Sequence, residues 1–213
     1  MAQPSAITSV GALADRVATA SAGRSRFVVA LAGPPGAGKS TLASALQREL
    51  IERGETPVIV PMDGFHFDDA LLGPRGDLPR KGAPHTFDAG GYAALLRRIR
   101  DTSGDEIAIP VFDRDLELSR AGARLVTRSH RVIITEGNYL LLEERPWSGL
   151  APLFDMTVMV ACDVDLLRER LVGRWTGHGH DRASAQARAS DNDLPNAELV
   201  MRASRPADTT YLT

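Results

Sequence analysis

Four short apolar runs divide the chain, and between them the apolar positions fall at helical spacing. Phe27-Val28-Val29-Ala30-Leu31-Ala32 is unbroken, β-branched in its first half and ended by Gly33. That is the pattern of a strand covered on both faces of a parallel sheet. Val58-Ile59-Val60-Pro61-Met62, Val132-Ile133-Ile134-Thr135 and Met156-Thr157-Val158-Met159-Val160-Ala161 repeat it. Pro61 lacks a ladder donor, so its strand is expected at the sheet edge or near its own end. Leu42, Ala45, Leu46 and Leu50 share one helical face. Tyr92, Leu95, Leu96 and Ile99 do the same behind a capping Asp88, and Leu166, Leu167, Arg170 and Leu171 behind Asp163. Ile7, Val10, Ala14 and Val17 predict a packing helix within residues 1–25. Strands alternating with helices predict an α/β fold, a parallel sheet with helices on both faces.

Two stretches break this rhythm. Residues 63–90 hold Gly64, Gly73, Gly76, Gly82 and Gly90 among acids and prolines, and read as a long irregular insertion of the kind that carries function. Arg174–Asp193 is polar and arginine-bearing and reads as a mobile segment flanked by helices. Asn196 could cap a last helix over Ala197–Ser204 or face a ligand, and the sequence leaves both open. With 213 residues the expectation is a single domain over 1–213.

A net charge of −2, with 43% hydrophobic and 24% charged residues, fits a folded globular chain and argues against a nucleic-acid surface. Cys162 has no partner for a disulfide or a zinc site and reads as a buried small residue. No apolar run is long enough to span a bilayer and the N-terminus lacks a signal-peptide pattern, so the expectation is a cytoplasmic protein without membrane insertion. A homodimer is compatible with all of this. One compositional fact carries further: of 25 basic residues, Lys39 and Lys81 alone are lysines.

Lys39 closes Gly33-Pro34-Pro35-Gly36-Ala37-Gly38-Lys39-Ser40, which satisfies G-x-x-x-x-G-K-[ST] between a strand and a helical pattern, with Thr41 next in line. Glycines let successive N–H groups converge on phosphate oxygens, and the following helix offers its free donors to the same anion. Lys39 adds a point charge toward the outer phosphates, and Ser40 a hydroxyl for Mg²⁺. The implied ligand is a nucleoside triphosphate with Mg²⁺. Neither lysine follows an asparagine, so the N-K-x-D element of guanine-specific GTPases is missing.

Asp63 ends the second strand, where open parallel sheets place ligand-contacting residues. It reads either as a turn aspartate or as the base that accepts an alcohol's proton during phosphoryl transfer. Glu136, at the end of the Val132–Thr135 strand, is the candidate partner of Mg²⁺. Arg170, Arg174 and Arg182 are candidates for closing over the triphosphate, with Arg174 first among them. His178, His180 and Asp181 read as a polar loop rather than a metal site.

Taken together, Gly33–Ser40, Met62-Asp63-Gly64-Phe65, Lys81-Gly82-Ala83-Pro84-His85-Thr86-Phe87-Asp88, Ile109-Pro110-Val111-Phe112-Asp113 and Ile134-Thr135-Glu136-Gly137 occur in the order seen in one family. The chain resembles the phosphoribulokinase / uridine kinase / bacterial pantothenate kinase family of P-loop kinases over about residues 26 to 175. It is most similar to the bacterial branch labelled fructose transport system kinases. The resemblance implies a three-layer P-loop fold with a five-stranded parallel sheet in the order 2-3-1-4-5, Thr209–Leu212 as its last strand, and a small lid at 174–193. It also implies ATP-dependent phosphorylation of a small-molecule hydroxyl. Asp63 is then the base, Lys39, Ser40 and Glu136 serve ATP and Mg²⁺, and His66, Lys81, Phe87, Asp88, Phe112 and Asp113 lie on the acceptor side. Uridine kinases have tyrosine at the place of Phe112 and histidine at that of Glu117, and pantothenate kinases an aliphatic residue at that of His66. A sugar or other polyol is what those departures leave. The alternatives are a nucleoside monophosphate kinase and an ATP-binding regulatory module linked to a transporter.

Overall fold

The computed structural model describes residues 6–101, 106–177, 179 and 181–213. Six parallel strands form the central sheet. In chain order they are β1 (Ala6–Ile7), β2 (Phe27–Ala32), β3 (Pro57–Pro61) and, beyond the separate hairpin of β4 (Ile107–Asp113) and β5 (Leu118–Val126), β6 (Val132–Gly137), β7 (Met156–Ala161) and β8 (Thr209–Leu212). Their spatial order is β1-β8-β7-β2-β6-β3. The five expected strands stand in the expected sequence, and β1 adds a sixth at the edge beside β8, pairing Ala6 and Ile7 with Thr210 and Tyr211. Ile7 therefore belongs to a strand, and the N-terminal helix α1 is confined to Val10–Ser21, started by Ser9, whose side chain accepts from the Ala12 N–H. Burial explains the unbroken run of β2. Val28, Ala30 and Ala32 enter one core while Phe27, Val29 and Leu31 enter the other. β3 is the opposite edge, where Pro57 and Pro61 are tolerated because one side of the strand needs no ladder partner.

Helices cover both faces. α1, α2 (Lys39–Glu52) and α5 (Val164–Gly177) pack on one through Leu13, Val17, Leu42, Leu46, Leu50, Leu167 and Leu171. α4 (Ala89–Arg100) packs on the other through Tyr92, Leu96 and Ile99, alongside Trp147 and Leu150 of the 3-10 segment Trp147–Leu153. Asp88 caps α4 by accepting from the Gly91 N–H at 2.8 Å.

Several expectations are corrected. β4 (Ile107–Asp113) and β5 (Leu118–Val126) form an antiparallel hairpin outside the main sheet. Pro110 sits at a register shift between Ile109 and Val111, and β5 is exposed along most of its length, so neither strand shows clean alternation. The 63–90 insertion is built of short helical turns, including α3 (Asp69–Arg75), rather than irregular loop. Within 174–193, α5 runs on past Arg174, and α6 (Arg182–Arg188) and a π-helical turn (Ala189–Asp193) lead into α7 (Leu194–Ala203). Asn196 lies buried inside the first turn of α7 and caps nothing. Cys162 is only partly buried, just beyond β7. His178 and His180 lie outside the described residues.

Gly64 lets the hairpin approach the sheet. A Cβ there would meet the Pro110 carbonyl oxygen, with the carbonyl carbon at 2.7 Å, and backbone cannot give way as a side chain can. Gly64→Ala is expected to cost about 1–3 kcal/mol, read as a lower urea midpoint.

Candidate active site

The carboxyl ends of β2, β3 and β6 converge on the Gly33–Ser40 loop. Gly36 and Gly38 take φ of 84° and 86°, the left-handed region that a side chain resists. Gly38 is the N-cap of α2 and supplies no side-chain cap, so the first N–H groups of the helix are left for an anion. Lys39 is buried, and its Nζ donates to the Pro34 carbonyl at 2.9 Å across the loop. Burial pulls its pKa down to about 8, against the opposing pull of Glu136 and Asp63. Glu136 is buried as well. Desolvation and the Asp63 carboxylate hold it above the usual carboxylate range, while Lys39 and a hydrogen bond with Ser40 act the other way.

A cavity of about 760 Å³ opens over this loop. Pro35, Gly36, Gly38, Lys39, Ser40, Thr41, Asp63, His66, Glu136 and Arg174 all line it. Gly33, Pro34 and Ala37 do not. Ala37 is fully buried and Gly33 packs against Val160, so these three shape the loop from behind. Asp63 sits in the 3-10 turn Met62–Phe65 that ends β3, and Arg114 Nη2 donates to its Oδ2 at 2.5 Å.

A second cavity of about 1030 Å³ lies beneath the α5–α6 corner. His66, Gly82, Arg114 and Arg174 line both cavities, so they form the common boundary. His66 Nδ1 lies 2.8 Å from the Asp63 carbonyl, and its ring packs 4.0 Å from Phe87 and 4.7 Å from Phe112, centroid to centroid. Burial lowers its pKa below the ordinary histidine value. Lys81 reaches the second cavity between Asp69 at 2.6 Å and Glu117 at 3.1 Å, above the Phe112 ring. Phe87 and Phe112 thus back His66 and Lys81 rather than line the space. Asp88 and Asp113 line neither cavity: Asp88 caps α4, and Asp113 accepts from the Asp115 and Leu116 N–H groups and from Arg120.

Arg174 is fixed by the buried Asp193, which accepts from its Nη2 at 3.1 Å and from Trp175 Nε1 at 2.6 Å. Arg170 also lines the first cavity, whereas Arg182 lines neither. Sequence reasoning did not single out Arg114, Tyr139, Asn192 or Trp175. Arg114 stands just past the Ile109–Asp113 motif, and nothing in an arginine-rich chain separates it from the rest. Tyr139 donates its hydroxyl to the Gly82 carbonyl at 2.5 Å, holding the boundary glycine in place. Asn192 donates to the Lys81 carbonyl and Arg80 to the Asp191 carbonyl, both at 2.7 Å, tying the π-helical turn to the 63–90 segment.

A family model described as "Methylmalonyl Co-A mutase-associated GTPase MeaB" matches residues 4–78, the stretch around the phosphate loop. A chain from Silicibacter sp. TM1040, provisionally named a fructose transport system kinase, superposes with a TM-score of 0.89 at 42% identity, covering 96% of this chain and 99% of that one. A protein from Schizosaccharomyces pombe with the provisional name uridine kinase C227.14 is 33% identical over 82% of this chain and 78% of its own. The chain belongs to the phosphoribulokinase / uridine kinase / bacterial pantothenate kinase family of P-loop kinases. YggC of Escherichia coli is a further relative, 37% identical over 86% of this chain and 76% of YggC. As a member of this kinase family the chain is a phosphotransferase acting on a hydroxyl-bearing metabolite, and kinases of this kind use ATP, typically with Mg²⁺. Among the described residues, no helix is long and apolar enough to cross a membrane.

Proposed function

We propose that this chain transfers the γ-phosphoryl group of ATP to a hydroxyl of a sugar, nucleoside or similar metabolite. The observation that carries the reading is the placement of Asp63. It is a carboxylate on the wall of the phosphate cavity, joined through Arg114 to the boundary with a second cavity large enough for a metabolite. A base at that border takes the proton of an acceptor hydroxyl as its oxygen meets the γ-phosphorus.

The loop Gly33–Thr41 wraps the phosphates with backbone N–H groups, and Lys39 places its ammonium among the outer ones. Arg174, on both cavities, covers the transferring group and spreads its charge. Ser40 and Glu136 are a hydroxyl and a carboxylate in hydrogen-bond contact on the cavity wall, a hard-oxygen donor set that fits Mg²⁺. When bound there, the ion neutralises charge on the phosphates and orients them. His66 and Lys81 contact the acceptor, with Phe87 and Phe112 fixing their positions. We place the whole of 1–213 in one domain, with 63–90 as its acceptor side and 174–193 as its lid.

The test is a coupled ADP-release assay across sugars, nucleosides, pantothenate and nucleoside monophosphates. Stimulation by an alcohol is the expected result. Stimulation by monophosphates alone, or ATP binding with no stimulation by any acceptor, contradicts it.

A further inference from the structure

The oxygen that Asp63 needs for its proposed role is already engaged. Arg114 donates to Asp63 Oδ2 at 2.5 Å, lies 4.9 Å from the centre of the Phe112 ring, and lines both cavities. It opens the turn between β4 and β5 with its side chain 48% exposed, so it can swing without disturbing a core. Its charge reaches both Lys39 and Glu136, which places it within electrostatic range of the phosphate loop.

A carboxylate beside bound ATP, with no acceptor present, has water as its nearest substrate. The water oxygen forms a bond to the γ-phosphorus, the bond from phosphorus to the β–γ bridging oxygen breaks, and the water proton passes to Asp63. The products are ADP and inorganic phosphate. Suppressing this reaction requires that Asp63 be occupied until the acceptor arrives.

We propose that Arg114 is that restraint, a positioning residue that pairs with Asp63 while the acceptor cavity is empty and yields it when an acceptor hydroxyl takes its place. The pair is partly exposed on both sides and is correspondingly weak, so acceptor binding can break it. The acceptor oxygen then forms the new bond to phosphorus, the same bridging bond breaks, and the proton goes to Asp63. Arg114, on the boundary of the two cavities, is left facing the charge that develops on the phosphoryl group. This inference rests on the reading of Asp63 as the base.

The test needs no knowledge of the acceptor. Inorganic phosphate release from Mg·ATP alone is measured for the full chain and for Arg114→Gln, Arg114→Ala, Asp63→Asn and the Arg114→Gln/Asp63→Asn pair. Binding of a non-hydrolysable ATP analogue is followed by calorimetry, and folding by thermal melts. The two Arg114 variants should hydrolyse ATP about fivefold faster than wild type, the size expected for loss of a partly exposed ion pair. Adding Asp63→Asn should remove the increase. If Arg114 merely steers Asp63, its variants hydrolyse ATP at or below the wild-type rate while still binding the analogue, and the proposal is overturned. Persistence of the increase in the double variant overturns it too. Should one Arg114 variant fail to fold, the other decides on the same criteria. Failure of wild type to bind the analogue would instead strike at the kinase reading itself.

Discussion

Asp63→Asn is expected to lower kcat for a confirmed alcohol acceptor by about 10²–10⁴-fold, the usual contribution of a positioned general base. Asparagine keeps the shape and can still meet Arg114, but it cannot take a proton. Because the phosphate loop is untouched, the KM for ATP should move little, and this split separates loss of the chemical step from loss of the site. A fall in kcat of less than tenfold would leave Asp63 as the turn residue that its position at the end of β3 also allows. Steady-state kinetics with both substrates varied gives the answer.

Lys39→Ala is the second large effect, with kcat/KM for ATP falling by about a hundredfold to a thousandfold, the scale for removing one preorganised group from a transition-state charge site. Arginine is not expected to rescue it, since a broad guanidinium does not fit a buried position spanned by the Pro34 carbonyl at 2.9 Å. A pH dependence goes with this residue. Burial pulls Lys39 down to about 8, and a bound triphosphate raises it again, so binding takes up a proton above that pH. ATP affinity should therefore be fully developed below about pH 8 and decline as the pH rises beyond it. That decline should vanish in Lys39→Ala, as titration calorimetry at several pH values will show. A wild-type affinity that is flat from pH 7 to 10 would remove Lys39 from the binding account.

What was legible in the sequence, and what was not, follows from the range of the physics involved. The phosphate loop is local: strand, glycines, Lys39, Ser40 and helix are consecutive, so the pattern carries its own context. The sheet order was implied by family resemblance, while β1, two residues long and paired only at the edge, shows no pattern of its own. The hairpin was obscured by Pro110 and by a strand exposed along much of its length. Scarcity made Lys81 visible, whereas Arg114 was hidden by the abundance of its own type. Asn192 and Tyr139 act on Lys81 and Gly82 across 111 and 57 positions of chain, a separation that no local pattern reports. Asp88 and Asp113 show the converse, since their hydrogen bonds serve a helix cap and a hairpin turn.

The most direct test of the central claim is the fate of the γ-phosphoryl group, followed by phosphorus NMR in a mixture of the chain, Mg·ATP and the strongest acceptor of the ADP-release panel. The account predicts a phosphate monoester on a carbon-borne oxygen of that acceptor, formed one for one with ADP and lost in Asp63→Asn. Inorganic phosphate alone, or a phosphoanhydride on a nucleotide acceptor, would contradict it.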